Sequence, residues 1–378
     1  MREIYLDNAA TTRVSESAAR IAFNIMRENY GNPSSLHSKG FAAEQALRLA
    51  RTQLADALAC SAEEIYFCSG GTEANNLAIF GTANAHMRRG KTIITTAVEH
   101  SSILEPVHQL ESQGFKSKII APAPDGSANI NAILDAVDDD TILVSCMAVN
   151  SETGAINQID DLGRSLKRKK PDILFHCDAV QAFGKLPLSL RSSPIDLLTI
   201  SSHKIHAPKG SGALFARRGV RIKPLLFGGG QENRLRAGTE SLPLICAFGH
   251  MAQEMCEKRE ENFAYVKELA EHFLEKAKFI SNICINSPDN GTPYIKNISA
   301  PGWRSETLLH ALEEDGIYVS SGSACSKGKP SHVLTAMGLA PQKIDSALRL
   351  SLCCENTAED IDIFFERLAF AMARLAKK

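Results

Sequence analysis

Pro194-Ile-Asp-Leu-Leu-Thr-Ile-Ser-Ser-His-Lys-Ile-His-Ala-Pro-Lys209 is the stretch from which the fold can be read. Ile195, Leu197, Leu198 and Ile200 make a short apolar run, the pattern of a strand buried on both faces. Ser201, Ser202, His203 and Lys204 end it abruptly. A lysine that closes a buried strand lies at the strand's carboxyl end, where open α/β sheets hold their ligands. Taken alone, Lys204 reads as one more solvated lysine. An earlier run, Ile173-Leu-Phe-His-Cys177, sharpens the reading, because that strand ends in Asp178 with Gln181 just beyond.

Outward from this stretch, the 378 residues exceed one compact core and predict two domains. With 42 Lys and Arg against 43 Asp and Glu, the balance argues against nucleic acid or a membrane surface as main partner. The ten cysteines include no C-x-x-C pair, so neither a metal site nor a disulfide framework is indicated. Reduced thiols fit a cytoplasmic protein. Met1 to Asp7 has no apolar signal core, and no run of about 18 apolar residues suggests a membrane span.

In chain order, Asn8 to Thr12 is small and polar, and Gly31-Asn-Pro-Ser-Ser35 is a turn opening a helix with apolar residues at helical spacing through Leu58. A strand, Ile65-Tyr-Phe-Cys68, meets Ser69-Gly-Gly-Thr72, and residues 73–81 read as a helix. Strand, glycine turn and helix start bring free amides and the positive end of a helix dipole together, which suits an anion. Gly71 and Thr72 are the candidate contacts, although any βα turn has this form. The dinucleotide spacing G-x-G-x-x-G is absent, and Gly90-Lys-Thr92 lacks the first glycine and the helix of a P-loop.

Residues 92–96 form a strand leading to His100 at a helix start, where a lone histidine reads as a cap. Residues 141–147 form another, ending in Asn150. Thr72, His100, Asn150, Asp178 and Lys204 therefore follow five strands and converge on one sheet edge. Gly210-Ser-Gly-Ala-Leu-Phe215 reads as an antiparallel strand, and residues 164–170 as a solvated helix end. An amphipathic helix starting near Leu244 leads to helices at 263–279 and 306–314. The last helix opens with the capping box Thr357-x-x-Asp360. Nine cysteines read as buried and inert. Cys325 differs: its glycine, serine and lysine neighbours predict exposure, and Lys327 and Lys329 favour the thiolate. Arg349, closing a strand at 344–348, carries a guanidinium fork suited to a carboxylate.

An acid at one strand end and a lysine at a later one is what a pyridoxal phosphate site requires. The lysine binds the aldehyde as a Schiff base, and the carboxylate keeps the pyridine nitrogen protonated so that the ring draws electrons. Asp178-Ala-Val-Gln181, followed by Ser201-Ser-His-Lys204 and Pro208-Lys-Gly210, resembles the core of the class V aminotransferases, fold-type I pyridoxal phosphate enzymes. Within them the chain looks most like a cysteine desulfurase, from Tyr5-Leu-Asp-Asn-Ala-Ala-Thr-Thr12 to Arg349-Leu-Ser351.

The resemblance implies an α/β fold. Residues 13–245 would form a large domain with a mainly parallel seven-stranded sheet between helices. Residues 1–12 and 246–378 would form a smaller α+β domain carrying the catalytic cysteine loop. It implies catalytic roles for Lys204, His100 and Cys325, with His100 stacked on the cofactor ring and shuttling protons. Asp178, Gln181, Gly71, Thr72, Ser201 and His203 would be further cofactor contacts. Asn150 and Arg349 would bind the substrate carboxylate. The residue matching Thr239 reaches across a dimer interface to the partner's cofactor phosphate, so a homodimer is implied.

The implied reaction converts L-cysteine to L-alanine and leaves a persulfide on Cys325, within Ser321-Gly-Ser-Ala-Cys325. An acceptor protein would then take the sulfur for iron–sulfur clusters, a thio-cofactor or tRNA. Two departures leave that acceptor open: the loop after Cys325 is shorter than the commonest mobile-loop version, and the chain ends soon after its last helix. The alternatives are a selenocysteine lyase, another class V aminotransferase, or a non-catalytic docking partner that binds the cofactor.

Overall fold

The computed structural model describes residues 3–322 and 330–375. The chain opens with β1 (Ile4–Tyr5), α1 (Glu16–Arg27), α2 (Ser38–Leu58), β2 (Ile65–Cys68) and α3 (Gly71–His86). Next come β3 (Thr92–Thr96), α4 (Ser101–Glu111), β4 (Lys116–Ile120), α5 (Ile130–Ala136) and β5 (Thr141–Ser145). Then α6 (Ile159–Lys169), β6 (Leu174–Asp178), β7 (Leu197–Ser201) and β8 (Gly212–Ala216) complete the first half. The remainder begins with α7 (Leu242–Glu257), α8 (Arg259–Ala277), β9 (Cys284–Ile285) and β10 (Ile295–Ser299). It continues with α9 (Ser305–Glu314), β11 (Ile317–Tyr318), α10 (His332–Ala336), α11 (Pro341–Asp345), β12 (Ala347–Ser351) and α12 (Ala358–Arg374).

Seven strands form one sheet in the order β2-β8-β7-β6-β5-β3-β4. Pairings from β4 across to β7 are parallel, and β8 runs antiparallel to both of its neighbours, as its sequence suggests. Every residue of β3, β5, β6, β7 and β8 is buried, which explains their continuous apolar runs: helices cover both faces. In β7, Leu198 and Ile200 face the core shared with α2 and α7, whereas Leu197 packs with Leu77 of α3. The outermost strand, β4, stays partly exposed and carries Lys116 and Lys118, charges that discourage edge pairing.

The first residues join the C-terminal half. β1 pairs in parallel with β11, and Asp7 bridges to Ser351 of β12, which is antiparallel to β10. The chain therefore passes close to the large sheet's carboxyl edge before α1 begins. Caps read from sequence are in place: the His100 ring caps α4, and Thr357 and Asp360 close the capping box of α12. Two expectations shift. The helix expected near Leu244 starts at Leu242, and most of its residues are buried, because it packs against α1 and α2. The strand expected at 344–348 starts instead at Ala347; Pro341, preset for a first helical turn, puts residues through Asp345 in α11. Arg349 thus lies mid-strand rather than at a strand end. No described helix is long and apolar enough to cross a membrane.

Candidate active site

The carboxyl ends of β2, β3, β5, β6 and β7 open onto one cavity of about 260 Å³. Gly71, Thr72, His100, Asp178, Gln181, Ser201, His203, Lys204 and Arg349 all line it. Parallel strands place all of these but Arg349 together, because each connection from a strand's carboxyl end leaves the sheet at the same edge.

Lys204 sits in the short turn Ser202–Lys204 that ends β7. Its Nζ donates to the carbonyl oxygens of Ala9 at 2.6 Å and Ala10 at 2.7 Å. Burial pulls its pKa down to about 7, and the charges of Lys185 and Arg349 press in the same direction. Near neutral pH a large share of this amine is unprotonated, the form that acts as nucleophile and base.

Asp178 closes β6. Its Oδ2 accepts from Asn75 Nδ2 at 2.8 Å, and its Oδ1 accepts from the Val180 N–H at 3.0 Å. The Asn75 amide also donates to Ser102 Oγ, whose hydroxyl lies 2.8 Å from His100 Nδ1. Nδ1 accepts the Ser102 N–H at 3.1 Å as well, so the neutral ring carries its proton on Nε2. Burial lowers the His100 pKa, and Asp178 opposes that shift.

The other end of the cavity is built for an anion. α3 starts at Gly71, separated from the end of β2 by two residues, and its first residues Gly71 and Thr72 line the opening, so a helix N-terminus borders it. A β-carbon on Gly71 would lie 3.0 Å from Val180 Cγ2, and one on Gly212 would lie 2.6 Å from the Gly70 carbonyl carbon, so glycine lets β8 pass this turn. Ser201 Oγ is buried without a partner among the described residues. His203 Nδ1 lies 3.2 Å from Thr11 Oγ1, and burial, helped by the Lys204 charge, pushes its pKa to about 4.

Arg349 reaches the cavity from β12. Its Nη2 donates to Asp7 Oδ1 at 2.7 Å and its Nη1 to the Ser151 carbonyl at 3.0 Å, while buried Nε has no partner among the described residues. An anion here would meet a guanidinium already held in orientation.

Two expected residues lie elsewhere, and a third is not described. Asn150 is fully buried behind the wall: Oδ1 accepts the N–H groups of Glu152 and Thr153, and Nδ2 donates to Val98 O. Its amide shapes the turn after β5 and does not line the cavity. Thr239 is exposed and lines a separate hollow of about 120 Å³ beside Ser69 and Gly238. Cys325 lies outside the described residues.

A model of the family described as aminotransferase class-V matches residues 4–364. The chain belongs to the aminotransferase class-V family. A relative from Methanosarcina thermophila named cysteine desulfurase IscS is 40% identical over 368 residues, 97% of this chain and 91% of that protein. A solved structure named NifS-like protein matches with TM-score 0.95 at 36% identity, covering 99% of this chain and 100% of that one. Another, described as SspA in complex with cysteine, has TM-score 0.83 and 32% identity over 92% of this chain and 98% of that one.

In this class-V chain the sequence reading passed over Asn75, Ser102 and the Ala9 and Ala10 carbonyls. Asn75 left a signal: an amide among Ala74, Leu77 and Ala78 on the inward side of α3 needs a buried partner. The two alanines left none, since only their backbone acts.

Proposed function

We propose that this protein is a pyridoxal phosphate-dependent cysteine desulfurase that converts L-cysteine to L-alanine and passes the sulfur, as a Cys325 persulfide, to an acceptor protein. The observation that carries this reading is a half-buried, readily deprotonated Lys204 facing the same cavity as Asp178, in a chain similar along nearly its whole length to a cysteine desulfurase.

The residues present fit the cofactor. Ser201 Oγ, buried and unpartnered, and the first amides of α3 suit its phosphate. Gly71, Thr72 and His203 would join them, with Thr239 contributed by a second copy. Asp178 would pair with the pyridine nitrogen, His100 and Gln181 would flank the ring, and Lys204 would hold the aldehyde carbon. When bound, pyridoxal phosphate supplies an electrophilic carbon and a ring that absorbs the electron pair left at the substrate α-carbon.

Arg349 binds the substrate carboxylate and fixes the amino acid's orientation. The neutral Lys204 amine takes the α-proton and can return one to the product. The Asn75 and Val180 donors hold Asp178 as an oriented carboxylate. Cys325 thiolate attacks the substrate sulfur, so an S–S bond forms as the C–S bond breaks. Asn150 acts as a positioning residue for the turn that carries Ser151, the carbonyl partner of Arg349.

The test is the visible spectrum of the purified protein, followed by sulfide and alanine measurement on adding L-cysteine. Cys325→Ser should keep the cofactor absorbance and release no sulfide; full activity in that variant removes Cys325 from the reaction. Turnover only with selenocysteine, or only with alanine and a keto acid, replaces the desulfurase reading.

A further inference from the structure

Lys185 lies in the turn after β6, a buried lysine that pairs with no carboxylate among the described residues. Its Nζ donates to Gln181 Oε1 at 3.3 Å, and Gln181 Nε2 donates to the Ala9 carbonyl at 2.9 Å. That carbonyl is also the acceptor for Lys204 Nζ at 2.6 Å. One amide and one backbone oxygen therefore connect buried Lys185 with half-buried Lys204. On its other side, Lys185 Nζ lies 5.7 Å from the centre of the Tyr294 ring, a favourable place for a cation.

We propose that Lys185 is a positioning residue for Lys204: its charge favours the neutral Lys204 amine, and its hydrogen bond fixes the Gln181 amide with nitrogen toward Ala9. The inference rests on the reading of Lys204 as the cofactor-bearing amine. Gln181 lines the cavity, and with Oε1 taken by Lys185 it offers that cavity a donor rather than an acceptor.

The charges facing the pair decide which lysine yields its proton. Arg349 adds to the repulsion on Lys204, Asp7 and Asp178 oppose it, and His100 and His203 stand beside it. Arg349 is paired with Asp7 at 2.7 Å, which leaves Lys185 as the cation without a carboxylate partner among the described residues. Lys185 shares a small cavity with His206, Tyr294, Cys353 and Cys354; the Cys353 thiol favours its charge and Arg349 opposes it. Burial lowers both amines, Lys185 to about 8 and Lys204 to about 7, and a charge on Lys185 lowers Lys204 further.

Cofactor-free protein tests this directly. Acetic anhydride labelling of Lys204, read by mass spectrometry across about pH 5–10, gives the amine's midpoint. In Lys185→Met the midpoint should rise by about one pH unit. In Lys185→Arg, whose guanidinium stays charged throughout, it should remain at or below the wild-type value. An unchanged midpoint in the folded Met variant overturns the proposal. A raised midpoint in the Arg variant overturns it too, even where the Met variant does not fold by circular dichroism. Borohydride reduction of wild-type protein with pyridoxal phosphate separately reports whether Lys204 carries the cofactor. Failure there refutes the cofactor reading and leaves the titration interpretable.

Discussion

At the scale of single residues, the site depends on buried polar groups whose partners fix their protonation. Asn75 orients Asp178 and passes a hydrogen bond through Ser102 to His100. Asn75→Ala should slow turnover roughly tenfold to a hundredfold, the size of a lost hydrogen bond to a charged group. Steady-state kinetics beside a melting curve would check this, since a drop in melting temperature with unchanged turnover contradicts it. Glu99 is a second case. It is buried; Oε1 accepts from Thr96 Oγ1 and the Met147 N–H, and Oε2 has no partner among the described residues. Burial raises its pKa to about 8, above the value of about 4.3 in an unfolded chain. Folded protein therefore keeps a proton that unfolded protein releases. The stability this contributes is complete below about pH 4, and is lost as pH rises to about 8. Glu99→Gln should be more stable than wild type by an amount that grows across this window, to at most about 5 kcal/mol. Urea unfolding of cofactor-free protein at both ends of the window would show it, and an equal difference at the two ends would falsify the assignment.

At the scale of elements, the strand ends do most to build the site, and they were the most legible feature. A run such as Ile195 to Ile200 followed by Ser201 and His203 announces both the strand and where it stops. Other elements lacked that contrast. The segment Gln231–Arg234 follows the glycines 228–230 and shows no strand or helix period in its sequence, yet Glu232, Asn233 and Arg234 all adopt left-handed backbone with φ of 48°, 54° and 65°. Such residues cost about 1–3 kcal/mol each and persist where their surroundings hold them. The holder is Glu232, which forms a two-pronged ion pair with Arg51 at 2.6 and 2.8 Å and accepts the Phe67 N–H. Glu232→Gln should destabilise the protein by about 3 kcal/mol, because it leaves a largely buried guanidinium uncompensated. Denaturant titration measures this, and a loss under about 1 kcal/mol, typical of surface pairs, excludes an anchoring role.

At the scale of the molecule, the described chain leaves large apolar side chains in water. Phe23 and Met26 of α1, Phe41 and Leu49 of α2, and Phe227 are each about half exposed or more, with Phe227 at 86%. Phe227 precedes the loop that carries exposed Thr239. We propose that a second copy covers this surface, which would bring Thr239 to the partner's cavity. Analytical ultracentrifugation should give twice the chain mass, and Phe227→Asp should shift the equilibrium toward monomer and weaken cofactor retention. A monomeric wild type at micromolar concentration removes the shared-site reading.

The sequence alone determined the strands, their polar ends and the glycine turn, because burial on both faces imposes a composition that a single stretch displays. Lys204 and Asp178 were legible for the same reason: each interrupts an apolar run. Only the tertiary structure decided how they are held. The Ala9 carbonyl meets Lys204 across 195 positions of chain, and Arg349 meets Asp7 across 342. It also turned Asn150 away from the cavity and brought Lys185 to within one amide of the oxygen that Lys204 uses. Contacts of that kind depend on how packed elements close on one another, and local residue patterns carry no record of them.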